Sequence, residues 1–274
     1  MWGIGNVDRL HRALRENPTQ VWHFIFDPTS LPRNQGLYRK HQRELEASVE
    51  CFADELSRDT FRDYCYAMET GDGTRDLAHL CPHTYFNELT QGLRKRNGAY
   101  VDGGAFDGDS LAAYLSFAGE RGQKVFAFEP DAVNYALLTK HFSARLHTKL
   151  LQKGVGDSEH WVSIVEPQGQ STRLLDDEAG NIEITTIDAV VGEAKVACIK
   201  LDVEGSELAA LQGTSRVIRR DKPYLLISAY HRPEDLVTLP RYFIDLGLDR
   251  DYQLYLRHHA PTRCELVLYG IPRV

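Results

Sequence analysis

The stretch YVDGGAFDGDS, Tyr100 to Ser110, sets three glycines and three aspartates into eleven residues. Glycines straight after an apolar run let the backbone turn tightly and approach a ligand, which is how nucleotide phosphates are held at helix N-termini. The acids argue for a different guest. Asp102, Asp107 and Asp109 would each repel a pyrophosphate by about 1 to 4 kcal/mol at contact distance. No lysine or arginine stands within the motif to offset them. A positively charged ligand gains from the same arrangement, and S-adenosylmethionine carries a sulfonium and an ammonium but no phosphate. Read from Gly103 the loop is G-G-A-F-D-G, so the third position of the dinucleotide pattern is Ala105 instead of glycine. A plain alternative is a tight turn whose Asp109 or Ser110 caps the following helix.

Further downstream, other acids and a histidine fall at comparable places. Glu129 closes VFAFEPD, where an acid hydrogen-bonds the ribose hydroxyls of either NAD or S-adenosylmethionine. VACIKLDVEGSELAALQG emerges from an apolar run into Asp202 and Glu204, with Glu207 in the first turn of the next helix, where its charge suits the helix N-terminus. PYLLISAYHRPEDL delivers Tyr230 and His231, whose imidazole, with an ordinary pKa near about 6.5, is suited to accept a proton at neutral pH. Asp202, Glu204 and His231 could also ligate a divalent cation, but spacing assigns no metal. LYLRHHAP offers Arg257, His258 and His259 as substrate ligands or as a surface turn.

The elements that must carry these groups follow from periodicity. Short apolar runs suggest strands at Ala99 to Asp102, Lys124 to Glu129, Lys149 to Val155, Ala194 to Asp202, Tyr224 to Tyr230, Tyr252 to Leu256 and Glu265 to Tyr269. Helical stripes lie between them at Leu111/Tyr114/Leu115/Ala118, Tyr135/Leu138/Phe142 and Leu208/Leu211/Ile218. This alternation is the pattern of a parallel sheet with helices on both faces, an α/β Rossmann-like fold that binds ligands at the carboxyl ends of its strands. Ile182, Ile184 and Thr186 alternate as a hairpin or edge strand would. Up to about Lys95 the chain reads as helical, with stripes at Leu45/Val49/Phe52/Leu56 and Phe61/Tyr64/Cys65/Met68, the second capped by Ser57.

Composition narrows the partners. The 274 residues carry a formal net charge of −7, and no basic run exceeds RKR, which argues against nucleic acid. No apolar run is long enough to span a bilayer, and the first twenty residues lack the hydrophobic core of a signal peptide. Cys51, Cys65, Cys81, Cys198 and Cys264 show no C-x-x-C pairing. The expectation is a cytoplasmic protein with reduced thiols, no membrane partner and a homodimer as one possible assembly.

Taken together, YVDGGAFDGDS, VFAFEPDAVNYALL, CIKLDVEGSELAALQG, KPYLLISAYH and YQLYLRHH, in that order, resemble the FkbM family of S-adenosylmethionine-dependent methyltransferases, from roughly Tyr85 onward. TYFNEL just upstream is similar to the family's lead-in. The resemblance implies a seven-stranded class I methyltransferase sheet with a reversed hairpin at its last strands, spanning 96–274, behind a helical extension or cap over 1–95. It implies S-adenosylmethionine as cofactor and O-methylation of a sugar, glycan or natural product, so the expected partner is a small-molecule or glycan acceptor. The cofactor residues it implies are Tyr85, Asp102, Gly103, Gly104, Ala105, Phe106, Asp109, Ser110, Glu129, Pro130, Asn134, Gly154, Val155 and Asp202. Tyr85 and Phe106 could face the sulfonium. His231 is the expected general base, with Asp202 or Glu204 orienting it or the acceptor. Two rival readings are a nicotinamide-dependent oxidoreductase, which leaves the acidic loop unexplained, and a cofactor-binding protein without catalysis.

Overall fold

Past Asn97, short runs of apolar and β-branched residues that cannot be amphipathic are buried on both sides, as in a parallel sheet covered by helices. A computed structural model describes residues 42–70, 72–119, 123–145, 147–165, 173–176 and 180–273. In chain order these form α1 Gln42–Val49, α2 Glu55–Thr70, β1 Ala99–Gly103, α3 Asp109–Ala118, β2 Val125–Phe128, α4 Ala132–Phe142, β3 Thr148–Leu151 and β4 Gly154–Val155. There follow β5 His160–Val165, β6 Arg173–Asp176, β7 Ile182–Thr185, α5 Ile187–Val191, β8 Val196–Leu201, α6 Glu207–Gln212, α7 Ser215–Asp221, β9 Tyr224–Ser228, α8 Asp235–Asp245, β10 Tyr252–His258 and β11 Leu266–Pro272. Seven strands make one sheet in the order β10-β11-β9-β8-β1-β2-β3, and four make a second, β4-β7-β5-β6. This is the expected class I methyltransferase sheet, with β11 inserted between β9 and β10.

The chain divides into two compact units, one of Glu88–Ser228 with Gly270–Val274, the other of the residues up to Asn87 with Ala229–Tyr269. In the first, β1 runs parallel between β2 and β8, with Asp102 opposite both Ala127 and Lys200, and Gly103 opposite Phe128 and Leu201. All residues of β1, β2, β8 and β9 are buried. The single strand expected over Lys149 to Val155 is instead two: β3 joins the large sheet and β4 pairs with β7. Gly154 permits that change of partner, since a Cβ there would lie 2.5 Å from Ile184 Cδ1. The alternation around Ile182 does produce a strand, β7, antiparallel to β5. The one helix expected through Leu208 and Ile218 is α6 and α7, broken at Gly213, where a Cβ would stand 1.9 Å from the Gly156 carbonyl oxygen.

In the second unit, the stripe Leu45/Val49/Phe52/Leu56 is not one helix. α1 stops at Val49, the Ala53 N–H donates to Leu254 O at 2.8 Å, and Phe52 bridges to Leu254. Ser57 does not cap α2; Asp54 does, accepting from Ser57 N at 2.9 Å. The Ser57 hydroxyl donates to Asp54 Oδ1 and accepts from Leu256 N at 3.0 Å and Arg257 at 2.7 Å, tying α2 to β10. The helical expectation for residues 1–41 lies outside the described residues. Among the described residues no helix is long and apolar enough to cross a membrane.

Candidate active site

Between β1 and α3 the chain turns through three residues of positive φ: Gly104 at 73°, Phe106 at 49° and Gly108 at 97°. Gly104 is required twice over, since a Cβ on it would also fall 1.8 Å from the Asp202 carbonyl oxygen. The loop uses its own amides internally. Gly104 and Ala105 N–H groups both donate to Phe128 O, at 3.0 and 2.9 Å, and Phe106 N–H donates to Glu129 Oε2 at 2.8 Å. At the start of α3, Asp109 Oδ1 accepts the Ser110 N–H at 2.6 Å. A carboxylate thus stands where a dinucleotide fold would hold its phosphate, and the Gly104, Ala105, Phe106 and Ser110 N–H groups are already engaged.

Beneath the loop lies a group that the sequence reading overlooked. Asp102 is fully buried, and its Oδ2 accepts from Ser110 Oγ at 2.7 Å and Tyr100 Oη at 3.2 Å. Lys200 Nζ stands 3.3 Å from Asp102 Oδ1 and 3.9 Å from Asp202 Oδ2, and donates to the carbonyls of Gly104 at 2.6 Å and Gly103 at 3.4 Å. The expectation that no cation offsets the acids is therefore corrected: Lys200 sits beside Asp102 on the neighbouring strand. Burial works against the Lys200 charge, but Asp102, then Asp202 and Asp109, outweigh it and raise the ammonium above its usual range. The signal was present in CIKLDVEG, where a lysine two residues before the acid that follows the strand interrupts an apolar run.

Glu129, just past β2, is 6% exposed and accepts from Phe106 N and, through Oε1, from Asp131 N at 2.9 Å. Burial raises its carboxyl, opposed by those amides and by the Asn134 side chain. Each oxygen retains a lone pair beyond the amide it accepts. Asp131, after Pro130, caps α4 by accepting from Val133 and Asn134 N–H. Phe106 is 38% exposed, an unusual state for a large apolar side chain held in so fixed a turn. Gly154 and Val155 are buried, and Val155 Cγ2 lies 3.3 Å from where a Gly103 Cβ would be, so β4 closes on the loop from the side.

At the end of β8, Asp202 is half-buried and its N–H donates to Gly103 O at 3.0 Å. Glu204 is exposed at φ 55°, a left-handed conformation costing a non-glycine residue about 1 kcal/mol or more. Glu207 is buried at the start of α6, accepting from Val203 N at 2.8 Å. The structure thus gathers Asp102, Gly103, Gly104, Ala105, Phe106, Asp109, Ser110, Glu129 and Asp202 around one turn of a single unit.

Tyr85 and His231 belong to the other unit. Tyr85 is buried at φ 63°, its N–H donating to Tyr269 Oη at 3.1 Å. His231 is half-buried between β9 and α8, its ring 4.2 Å from that of Tyr230. Arg257, His258 and His259 form neither a substrate site nor a surface turn; all three are buried in protein contacts. Arg257 pairs with Asp54, His258 bridges Asp76 and Cys264 O, and His259 bridges Cys81 O and Tyr269.

The sequence pattern of the methyltransferase FkbM domain matches residues 102–254. The chain belongs to the FkbM methyltransferase family. Among solved structures, the methyltransferase FkbM of Methylobacillus flagellatus KT is similar at 27% identity and a TM-score of 0.68, over 86% of this chain and 60% of that one. This FkbM chain therefore spans less than two thirds of that relative. An rRNA methylase of Streptococcus thermophilus (16% identity, 66% of this chain and 92% of that one, TM-score 0.43) is more distant. So is Aeropyrum pernix fibrillarin, solved with S-adenosyl-L-methionine (15%, 67% and 72%, TM-score 0.41). No curated protein sequence matches the FkbM chain.

Proposed function

We propose that the protein transfers a methyl group from S-adenosylmethionine to a hydroxyl of a sugar, glycan or other small natural product. The observation that carries the cofactor reading is the state of the loop. Its Gly104, Ala105 and Phe106 amides are engaged by Phe128 O and Glu129, and Asp109 occupies the start of α3. A pyrophosphate finds carboxylates in place of donors there, whereas a sulfonium and an ammonium find attraction. The remaining acceptor capacity of Glu129 suits a ribose diol, the exposed Phe106 ring suits a cationic or aromatic face, and Gly154 and Val155 offer a backbone edge beside it.

When bound, S-adenosylmethionine supplies an electrophilic methyl on a sulfonium that leaves as a neutral thioether. The chain's part is to position the acceptor oxygen for in-line attack and to take its proton. His231 is the base in this reading, accepting the hydroxyl proton as the C–O bond forms, while Asp202 or Glu204 orients it or the acceptor. Tyr85 is assigned to the sulfonium side of the cofactor.

Calorimetric titration with S-adenosylhomocysteine and with NAD tests the cofactor. Binding of the former without the latter is expected, and tight binding of NAD alone overturns the reading. For the base, His231→Ala should lose methyl transfer by about 100-fold or more while S-adenosylhomocysteine affinity is unchanged; full turnover by the variant removes His231 from that role.

A further inference from the structure

In the unit that carries His231, a small cleft is lined by Tyr64, Tyr230, His231, Arg232, Leu236, Arg263 and three further residues, none of them acidic. We infer that this cavity receives the methyl acceptor, and that the acceptor carries an oxyanion, a carboxylate or a phosphate, bound by Arg232 and Arg263. The inference rests on the methyltransferase reading for what happens to the hydroxyl, but the anion preference stands on the cavity itself.

Three observations support it. First, in a chain of formal net charge −7, six other arginines, Arg58, Arg62, Arg216, Arg220, Arg241 and Arg257, have carboxylate partners, while Arg96 and Arg145 bond carbonyl oxygens. Among the described residues the Arg232 and Arg263 guanidinium groups have no ion pair and no hydrogen bond, although they line the same cavity. Second, the backbones that carry them are fixed. The Arg232 N–H donates to Asp235 Oδ2 at 2.9 Å at the start of α8, and Arg263 O accepts from Tyr64 Oη at 2.7 Å. Guanidinium forks carried on such anchored backbone match the paired oxygens of a carboxylate or phosphate. Third, His231 shares the cavity with the Tyr230 ring. An anion anchored at the arginines would leave a ring hydroxyl of the same molecule within the cavity that holds the proposed base.

The test uses three probes of one shape: methyl glucuronoside, glucose 6-phosphate and methyl glucoside, titrated by ligand-observed NMR with and without S-adenosylhomocysteine. The glucuronoside or the phosphate should bind at least about tenfold more tightly than the neutral glucoside, and whichever anion is tighter identifies the source of the charge. Arg232→Gln and Arg263→Gln should each weaken that anion while leaving S-adenosylhomocysteine affinity and Tm unchanged, with partial recovery in Arg263→Lys. Equal binding of glucoside and anions, failure of both anions to bind at millimolar concentration, or glutamine variants that bind like the parent protein overturns the inference. Loss of S-adenosylhomocysteine binding by the parent protein would instead remove the methyltransferase reading and leave the anion result standing.

Discussion

Two short stretches look alike in sequence and behave oppositely in the fold. Asp102–Ser110 holds three carboxylates in nine residues, and Arg257–His259 holds three basic groups in succession. In the second, the charged groups are closed into the protein. His258 Nδ1 faces Asp76 Oδ2 at 2.5 Å and its Nε2 faces Cys264 O at 2.9 Å. With Asp76 ionised both partners are acceptors, and the ring then donates twice as an imidazolium. His259 is its converse. Tyr269 Oη accepts from Tyr85 N–H and Asn87 Nδ2, so it must donate to His259 Nε2, leaving the Nδ1 proton for Cys81 O. Adjacent histidines thus hold opposite charge states for structural reasons. The loop closes only its lower half in this way, through Asp102 and Lys200, and leaves Asp107 and Asp109 toward solvent. A charged triplet marks a ligand site when its capacity is left over after folding.

The largest effect should come from the closed half of the loop. Lys200→Met strands the fully buried Asp102 carboxylate and frees the Gly103 and Gly104 carbonyls, and should cost about 3 to 5 kcal/mol in urea unfolding. The double variant Lys200→Met/Asp102→Asn removes both charges and should recover much of that stability. It should still bind S-adenosylhomocysteine poorly if Lys200 also holds the loop in place. A double variant that recovers both properties would reduce Lys200 to a counter-charge, and the loop would then differ from Arg257–His259 less than its geometry implies.

The closed strand gives the next largest effect and carries its own pH signature. Burial disfavours the charged His258 ring, but Asp76 and the carbonyls of Cys264 and Thr262 outweigh it and raise the pKa above its ordinary value. A raised folded pKa means stability that is fully present below about 6.5, the unfolded value, and is lost as pH rises through the folded one. Asp76→Asn should therefore lower stability by about 1.5 to 3 kcal/mol at pH 6 and by less at alkaline pH. Denaturation midpoints of parent and variant that stay the same distance apart across that range would show that His258 is not the imidazolium inferred here.

The sequence made β1, β2, β8 and β9 legible because a strand buried on both faces must be largely apolar, and these four are, with Asp102 and Lys200 the charged exceptions. It made Glu129 and Asp202 legible because acids at strand ends break such runs. What it hid depends on partners distant in sequence. Lys200 reads as an ordinary strand lysine until register sets it opposite Asp102, 98 positions away in the chain. Arg257, His258 and His259 look like site residues until Asp54, Asp76 and Cys81 are folded onto them. The split at Gly154 and the break at Gly213 were equally hidden, because each is set by a close contact, with Ile184 and with the Gly156 carbonyl.

Glu129 tests the open side of the comparison with a smaller effect. Glu129→Gln keeps one oxygen for an amide but turns the other end into a donor facing an N–H. Affinity for S-adenosylhomocysteine should fall about tenfold, from one hydrogen-bond-sized loss at a charged group. Unchanged affinity would mean that Glu129 serves only to hold Phe106 and Asp131.

Asp107 should give the smallest effect, and its character matters more than its size. Only its backbone carbonyl has a partner among the described residues, the His141 ring at 3.0 Å, so Asp107→Ala should change stability by less than about 0.5 kcal/mol. Its carboxylate still adds to the field of the loop and contributes to raising the neighbouring Asp109, after desolvation and Asp102. If that field attracts a cationic cofactor, Asp107→Ala should weaken S-adenosylmethionine about twofold at low salt, with the difference fading toward 1 M, where the Debye length falls to about 3 Å. S-Adenosylhomocysteine, which lacks the sulfonium, should respond less. Asp107→Lys should extend the trend in the same direction. Tighter S-adenosylmethionine binding by the lysine variant would leave family membership intact but remove the charge explanation for the acids, and they would then be features of the turn alone.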